Sequence, residues 1–483
     1  MVKKASLSDT PSHGGSVSVS RTDMSSVSAI RLLAVEEIRV NLYNWKIPVA
    51  LVALVALFQL SSHLLLLDYG QRVESWTINR EAQLSGSVGG VVRYELPGGT
   101  FFHRVGSGPD PPVQQPHPFS VLVKGIDSEV DRAVTLGQRI GFGPRQHEIV
   151  ASAFLDTPDT LFVVKFILSL FALLFSLDLI TREKESGRLR AILAMPLRRR
   201  DLLWGKAIGA FLSLAAPFGL AYLTLLIHLH IRRGLFANND ALGRALLIFL
   251  LSLLYCAVFT LLGLYISTTA LRTRTAVVAA VFAWGTAVVL LPNASALGAR
   301  ILFPAPTYNQ LTAHLFESYQ QIMREEAQSA PPAQSLTNTR DTKRAWARLS
   351  ERDRQLTDDY FDRLWGQISH ARTWSIVSPA GSLAFASSDL AGTGAFDYLL
   401  YLNYLRAGRD TITDAMSRRW DLPPLEGDKL WRDALEEVAS RQRQSQSLGA
   451  SLRSASWTIA SLAGWAVLLG VMSGRRFERY DVR

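Results

Sequence analysis

The side chains that most often do chemistry are few in this chain, and their spacing does not suit catalysis. His147-Glu148 opens the pattern of a zinc-binding helix, but Ala151 stands where the second histidine should be. Cys256 is the only cysteine and lies in an apolar run, which excludes a disulfide framework and a cysteine-based zinc site. We therefore predict no catalytic residue, no metal site and no cofactor.

The sequence also lacks a loop that could hold the phosphates of a nucleotide. Gly205-Lys206 could end such a loop, but Arg200 occupies the position of its first glycine and Ala207 that of its Ser or Thr. The backbone cradle for phosphate and the hydroxyl group for magnesium are both missing. We predict that the chain is not an enzyme and that any ATP hydrolysis comes from another subunit.

The most informative segment is short and strongly charged, and it covers residues 181–203. An acidic pair, Glu183 and Glu185, precedes Gly187, and Pro196 ends the following helix because it has no amide hydrogen. Three apolar residues of that helix share one face: Leu189, Ile192 and Leu193. The pattern predicts a helical knob with an apolar stripe and a charged rim, suited to docking into a groove of a partner. A charged loop that only fixes membrane topology would have the same composition.

The elements that position this segment are membrane spans. Hydrophobic residues make up 48% of the 483 residues and charged residues only 19%, against about 25% charged in a soluble domain. The apolar residues are concentrated in six runs long enough to cross a bilayer as helices. These runs cover residues 47–67, 160–180, 204–231, 242–267, 275–291 and 455–473. We predict an all-α polytopic membrane protein.

The distribution of arginine and lysine in the short connections sets the orientation of the spans. Basic residues are concentrated in the segment 181–203, in the turn after the fourth span, and in the tail 474–483. These segments fall on the same side as the amino-terminal region, which is also basic. We therefore predict that both termini are cytoplasmic.

The region before the first span divides into two parts. Residues 1–26 are rich in serine and are predicted to be disordered. Residues 27–46 have apolar residues on one helical face, including Ile38, with Glu36 and Glu37 lying elsewhere. This pattern predicts an amphipathic elbow helix at the membrane surface. A cytoplasmic extension of the first span is the alternative.

Two long connections are predicted to form extracytoplasmic insertions. Residues 68–159 combine β-like runs with turn residues, so we expect a mixed α/β insertion. Residues 292–454 have helix-spaced apolar residues and many charges, so we expect a mainly α-helical insertion. Connections of this length are expected to be folded domains or lids.

The charged segment and its flanks resemble permease subunits of ABC transporters of the type 2 exporter class. The resemblance is strongest to gliding-motility and multicopper-enzyme-maturation permeases, a branch with large extracytoplasmic insertions. Their pattern is E-x-x-x-G-T-L, a proline, an arginine-rich turn, and G-K opening the third span. The matching residues here are Glu183, Gly187, Leu189, Pro196, Arg199, Gly205 and Lys206. Arg188 stands where the family usually has threonine, and the helix with Glu36 and Glu37 resembles the family's elbow helix.

The resemblance implies that the segment docks on a separate ATPase subunit, with the elbow helix beside it. The segment residues concerned are Glu183, Glu185, Gly187, Arg188, Leu189, Pro196 and Arg199. It also implies a dimer with a second copy or a paralogue, and export across a bacterial inner membrane. Membrane lipid and an envelope component are further expected partners, whereas nucleic acid is not.

Two other functions remain open at this point. A membrane-anchored sensor or scaffold would use the insertions to bind a ligand and the charged segment to relay a signal. A secondary transporter would carry more charged residues or broken helices at mid-membrane than this sequence has. ATP-coupled movement of a substrate would distinguish the permease from both.

Overall fold

All six predicted spans are helical in the computed structural model of the chain. The structure describes residues 26–84, 90–96, 99–105, 116–125, 134–136, 140–142, 159–195, 197–234, 239–329, 339–419, 421–440 and 446–480. Six helices in these parts are long and apolar enough to cross a membrane: Lys46–Ile78, Thr160–Glu185, Arg199–Arg232, Asp240–Thr269, Thr273–Leu302 and Leu448–Glu478. The predicted all-α polytopic architecture is confirmed. The predicted tail 1–26 lies almost wholly outside the described residues, as do Pro196, His147 and Glu148.

The spans and the short helices around them form one set of elements. An amino-terminal helix and the first span are α1 (Ser26–Tyr43) and α2 (Lys46–Leu84). The second span contains α3 (Thr160–Phe162), a π-helical segment (Val163–Leu168) and α4 (Ser169–Ser176), and it leads into α5 (Thr181–Glu185) and α6 (Arg188–Leu193). The third and fourth spans are α7 (Arg199–Arg233) and α8 (Asn239–Thr269). The fifth combines α9 (Thr273–Gly285), a π-helical segment (Thr286–Leu290) and α10 (Leu291–Leu302).

Five further helices precede the sixth span. They are α11 (Tyr308–Ser329), α12 (Thr339–Ser375), α13 (Pro379–Ala391), α14 (Ala395–Arg419) and α15 (Pro424–Ser440), followed by the span α16 (Leu448–Glu478). The bundle therefore has two different ends. We call the end with α1, α5, α6 and the last turn of α16 the basic end, and the opposite end the insertion end.

One helix of the predicted second insertion, α13, packs among the spans. It lies against α8 and α16, and nearly all of its residues are buried. At its start, Ser378 Oγ donates to the carbonyl oxygen of Ala287 at 2.7 Å, midway along the fifth span. Ser382 Oγ lies 3.2 Å from Ser461 Oγ, midway along α16. The sequence analysis predicted that 292–454 forms one insertion outside the membrane. The structure instead places α13 within the bundle, where it runs from the middle of the spans back to the insertion end.

The other helices of this region have an apolar core of their own. It joins α12, α14 and α15 and contains Phe361, Tyr401, Leu402, Leu405, Ile412 and Val438. The described parts of 303–447 are therefore mainly helical, and α13 connects them to the spans.

The first insertion is described only in short pieces. α2 continues to Leu84, beyond the predicted span, and two antiparallel hairpins follow. β1 (Gly90–Leu96) pairs with β2 (Gly99–Val105), and β3 (Val134–Leu136) pairs with β4 (Ile140–Phe142). These pieces do not establish the mixed α/β fold that the sequence predicts for 68–159 as a whole.

Candidate coupling site

A buried charged triad joins three separate parts of the chain at the basic end. The ammonium Nζ of Lys206 lies 2.7 Å from Glu183 Oε1 and 3.2 Å from Glu37 Oε2. The three side chains are only 9%, 12% and 5% exposed, respectively. The triad links α7, α5 and α1, and with two carboxylates and one ammonium its formal charge is −1. Since buried charges persist only when paired, this contact fixes the three helices relative to one another.

Two glycines explain why α1 comes close enough to α7 for this contact. A Cβ atom at Gly205 would lie 2.7 Å from the Cβ of Leu33, and one at Gly209 would lie 2.7 Å from the carbonyl oxygen of Ala34. Glycines four residues apart on a helix allow two helix backbones to approach closely. Lys206 follows the first of them directly, so its side chain reaches the α1 surface.

The elbow helix places two polar residues against the third span. Besides Glu37, Asn41 is buried there, and its Nδ2 donates to Ser213 Oγ at 3.2 Å. Large apolar residues of α1 are exposed instead: Val27, Leu32, Val35, Leu42 and Tyr43. The exposed side also carries charged residues, so α1 is not divided into one apolar and one polar face, and its placement at the membrane surface stays a prediction. Glu36 pairs with Arg39 on the exposed side, and Ile38 is half-buried.

Two neighbouring side chains of helix α5 form hydrogen bonds with the turn between the fourth and fifth spans. Lys184 Nζ donates to the carbonyl oxygens of Ser267, Thr268 and Ala270 at 3.2, 2.7 and 3.0 Å. Glu185 accepts hydrogen bonds from the amide and hydroxyl groups of Thr273 at 2.8 and 2.7 Å. A cation therefore sits at the carboxyl end of α8 and an anion at the amino end of α9, the favourable sign at each helix terminus. Residues 270–272 are thereby clamped to α5.

Helix α6 turns the predicted apolar stripe toward its own chain. Gly187 has a φ of +71°, a left-handed conformation that separates α5 from α6 and that glycine adopts without steric cost. Leu189 is buried, and with Ile192 and Leu193 it packs on a cluster at the ends of the third and sixth spans. That cluster includes Leu202, Leu203 and Phe477. The opposite face of α6, with Arg188, is exposed.

The start of α7 is fastened to the end of α16. Arg199 Nη1 donates to the carbonyl oxygens of Glu478 and Tyr480 at 2.9 and 2.8 Å. The neighbouring Arg200 pairs with the carboxylate of Glu478. The last carbonyl groups of a helix have no partner within it, so Arg199 satisfies the end of the sixth span while Arg200 adds an ion pair. Arg199, to which the resemblance assigns partner docking, thus has a contact inside the chain.

The structure brings most of the predicted site residues together but in two different roles. Glu37, Glu183, Glu185, Leu189, Arg199, Gly205 and Lys206 make internal contacts, whereas Gly187 and Arg188 lie on the surface. The sequence analysis missed Lys184, Asn41 and the Lys46–Asp178 pair, whose atoms Nζ and Oδ1 are 3.1 Å apart. A charged or amide side chain within an otherwise apolar or helix-ending stretch was the available signal for these contacts.

A second polar cluster lies at the insertion end. Arg372 Nη2 donates to Asp389 Oδ2 at 2.6 Å and to the carbonyl oxygen of Ser454 at 2.5 Å, so α12, α13 and α16 meet there. Arg244 of α8 donates to the carbonyl oxygen of Leu390 at 2.7 Å. Burial raises the pKa of Asp389 to about 6, against the opposing effect of the Arg372 charge. These contacts hold the outer end of α13 in place.

Six spans, four of which are held at their basic ends by α5 and α6, define a polytopic membrane protein. A family model described as ABC-2 family transporter protein matches residues 32–482, nearly the whole chain. The chain therefore belongs to this family and is an ABC transporter permease. A search of curated proteins found no match. The family-level resemblance seen in the sequence is confirmed, and its placement in the branch with large insertions stays a prediction.

Proposed function

We propose that this chain is the membrane-spanning subunit of an ATP-driven exporter in a bacterial inner membrane. In this proposal it works as a dimer with itself or a paralogue, on two separate ATPase subunits that dock at the basic end. Both termini are then cytoplasmic and the insertions extracytoplasmic. Family membership supports the permease, whereas the direction of transport is inferred from the resemblance to type 2 exporters.

The observation that carries the proposal is the way α5 and α6 are joined to the spans. Glu183 contacts the third span and the elbow helix through Lys206, while Lys184 and Glu185 hold the turn between the fourth and fifth spans. Leu189 packs near the last turn of the sixth span. A displacement of this segment by a partner would therefore be transmitted to four spans at once.

The charge distribution supports the proposed orientation. The basic end exposes arginines on α6, on the turn before α9 and on the last turn of α16, among them Arg188, Arg272 and Arg475. An excess of arginine and lysine in short loops marks the cytoplasmic side of membrane proteins. The missing phosphate loop around Gly205 supports an ATP-hydrolysing partner as the source of energy.

Affinity purification of the tagged chain from native membranes tests the proposal. We expect a protein with a phosphate-binding loop to co-purify, to hydrolyse ATP, and to give a native mass of two permease and two ATPase subunits. An unrelated six-span protein with the same tag is the control. If no ATPase co-purifies in several mild detergents, the proposal is wrong, and the sensor or scaffold function becomes the better one.

A further inference from the structure

A groove lies between α12 and α14, in the helical region that precedes the sixth span. Its cavity volume is about 380 Å³, within the range of about 300–1,000 Å³ that is typical of pockets for small ligands. One wall is a stripe of α12 side chains from Lys343 to Arg354, which on a helix is about 17 Å long. The other wall runs from Arg409 to Ser417 on α14. The groove is therefore elongated, and two regular helices form its walls.

Small side chains from both helices leave the groove open. Ala347 and Ser350 of α12 line it from one side, and Thr413 and Ser417 of α14 line it from the other. The half-buried Trp346 borders the same space. An indole ring is large, flat and rigid, so it offers a ligand a broad apolar surface beside these small residues.

Two hydroxyl groups of the groove are not used by the helices that carry them. Thr373 on α12 and Thr411 on α14 donate to the carbonyl oxygen four residues earlier, at 2.9 and 3.1 Å. Ser350 and Thr413 form no side-chain hydrogen bond with any residue that the structure describes. They lie on opposite walls, so both hydroxyl groups are available to a ligand between them.

The charges of the groove cancel. Its lining contains three cations and three carboxylates: Lys343, Arg354, Arg409, Glu351, Asp410 and Asp414. Each of the six is paired with an opposite charge at 2.6 to 3.1 Å, either within the lining or just outside it. A ligand with a net charge would have to displace one of these partners. The lining therefore favours a neutral ligand.

The paired charges still have hydrogen-bonding capacity. A carboxylate has about four acceptor sites and a guanidinium five donors, so one ion pair leaves most of them free. Sugar hydroxyl groups donate and accept at the same time, and can therefore use both kinds of partner. The C–H face of a sugar ring is apolar and flat enough to stack on an indole ring. A neutral saccharide thus matches the hydroxyl groups, the balanced charges and the tryptophan together.

We propose that the groove between α12 and α14 binds a neutral saccharide. Trp346 stacks on a sugar ring, and Ser350 and Thr413 form hydrogen bonds with its hydroxyl groups from the two walls. The buried guanidinium of Arg409 lies at one end of the groove, and Lys343 lies at the other. In the proposed orientation of the chain this site is extracytoplasmic. It adds a binding site to the permease and does not depend on the ATPase partner.

Calorimetric titration of the full chain in nanodiscs tests the inference. The probes are neutral oligosaccharides built from hexose, N-acetylhexosamine or deoxyhexose units. Trp346→Ala should weaken the binding of the best of them by about tenfold or more, and Trp346→Phe, which keeps an aromatic face, should weaken it less. Salt should change the wild-type affinity by less than about twofold, because a neutral ligand has no charge to screen.

A filling substitution locates the site without removing a native side-chain contact. Ala347→Trp places an indole in the groove and should abolish binding. Ala313→Trp makes the same change at another exposed alanine, on α11 and outside the groove, and should leave the affinity unchanged. A normal melting temperature of each variant excludes misfolding as the cause.

Three results would overturn the inference. If Ala347→Trp binds the saccharide as wild type does, the site lies elsewhere. If polyuronates or oligolysine bind, neutral oligosaccharides do not, and Ala347→Trp blocks that binding, the groove takes an ionic ligand. If no oligosaccharide binds wild type, the groove is not a saccharide site. The permease proposal stands in all three cases, because no ATPase takes part in the titration.

Discussion

Replacing Lys206 with methionine should destabilise the protein strongly. Methionine keeps most of the volume of the lysine side chain but removes the ammonium that lies 2.7 Å from Glu183 and 3.2 Å from Glu37. The formal charge of the site changes from −1 to −2, with both carboxylates at least 88% buried. Removing one partner of a buried ion pair costs about 3–5 kcal/mol, because an uncompensated charge remains.

The charge balance predicts an asymmetry between the members of the triad. Glu37→Gln brings the formal charge of the site to zero and leaves Lys206 paired with Glu183. We expect it to cost only about 1 kcal/mol, the value of a typical hydrogen bond. Lys206→Met combined with Glu37→Gln and Glu183→Gln removes all three charges, so it should recover much of the loss caused by Lys206→Met alone.

The single cysteine provides the assay. Cys256 is fully buried in α8, so a thiol-reactive fluorogenic dye reports its exposure as the detergent-solubilised protein unfolds on heating. For a chain of 483 residues, a loss of 3–5 kcal/mol should lower the apparent melting temperature by about 3–5 °C. Equal melting temperatures for wild type and Lys206→Met, or a larger effect of Glu37→Gln, would refute the account of the triad.

Three further outcomes are expected from the same assay. Gly209→Ala should lower the melting temperature, because its Cβ would lie 2.7 Å from an α1 carbonyl oxygen. The control Gly464→Ala should leave the melting temperature unchanged, because there is open space around that residue. Equal effects of the two substitutions would contradict the close packing of α1 on α7. Lys184→Gln should cost about 1.5–3 kcal/mol, since its ammonium serves three carbonyl oxygens, and an unchanged value would show that this cap is dispensable. The pKa of Asp389 rises from 3.8 to about 6 on folding, so between these values the folded protein holds a proton that the unfolded chain has released. The free energy of unfolding should fall by up to about 3 kcal/mol as the pH rises through this window. Asp389→Asn should abolish this pH dependence. Wild type and variant showing the same dependence of stability on pH would contradict the prediction.

The spans were predictable because the signal for them is local. Each is a run of about twenty apolar residues, and in lipid such a run can satisfy its backbone hydrogen bonds only as a helix. The placement of α13 was not predictable in this way. Its sequence includes Ser382, Ser387, Ser388 and Asp389, and it is too short to cross a membrane, so hydropathy assigns it to a soluble insertion. Its burial depends on partners more than 60 residues away, such as Ser461.

The candidate site also shows what cannot be predicted from local sequence, here for single residues. The resemblance to type 2 permeases grouped Glu183, Gly187 and Lys206, and the triad joins two of them. The sequence could not distinguish a residue that faces a partner from one that faces its own chain. Leu189 and its stripe have the composition of a docking surface, but the ends of α7 and α16 cover them. That distinction depends on tertiary contacts.

The measurement that tests the central claim most directly is hydrogen–deuterium exchange on the purified complex with and without magnesium-ATP and vanadate. The account predicts that the nucleotide changes amide protection in residues 181–210 and in α1, because α5 and α6 receive the motion of the ATPase and pass it to the elbow helix and the third span. If protection there is unchanged, and only the helices of the insertions respond, ATP does not act through this segment. That result would contradict the assignment of the coupling site.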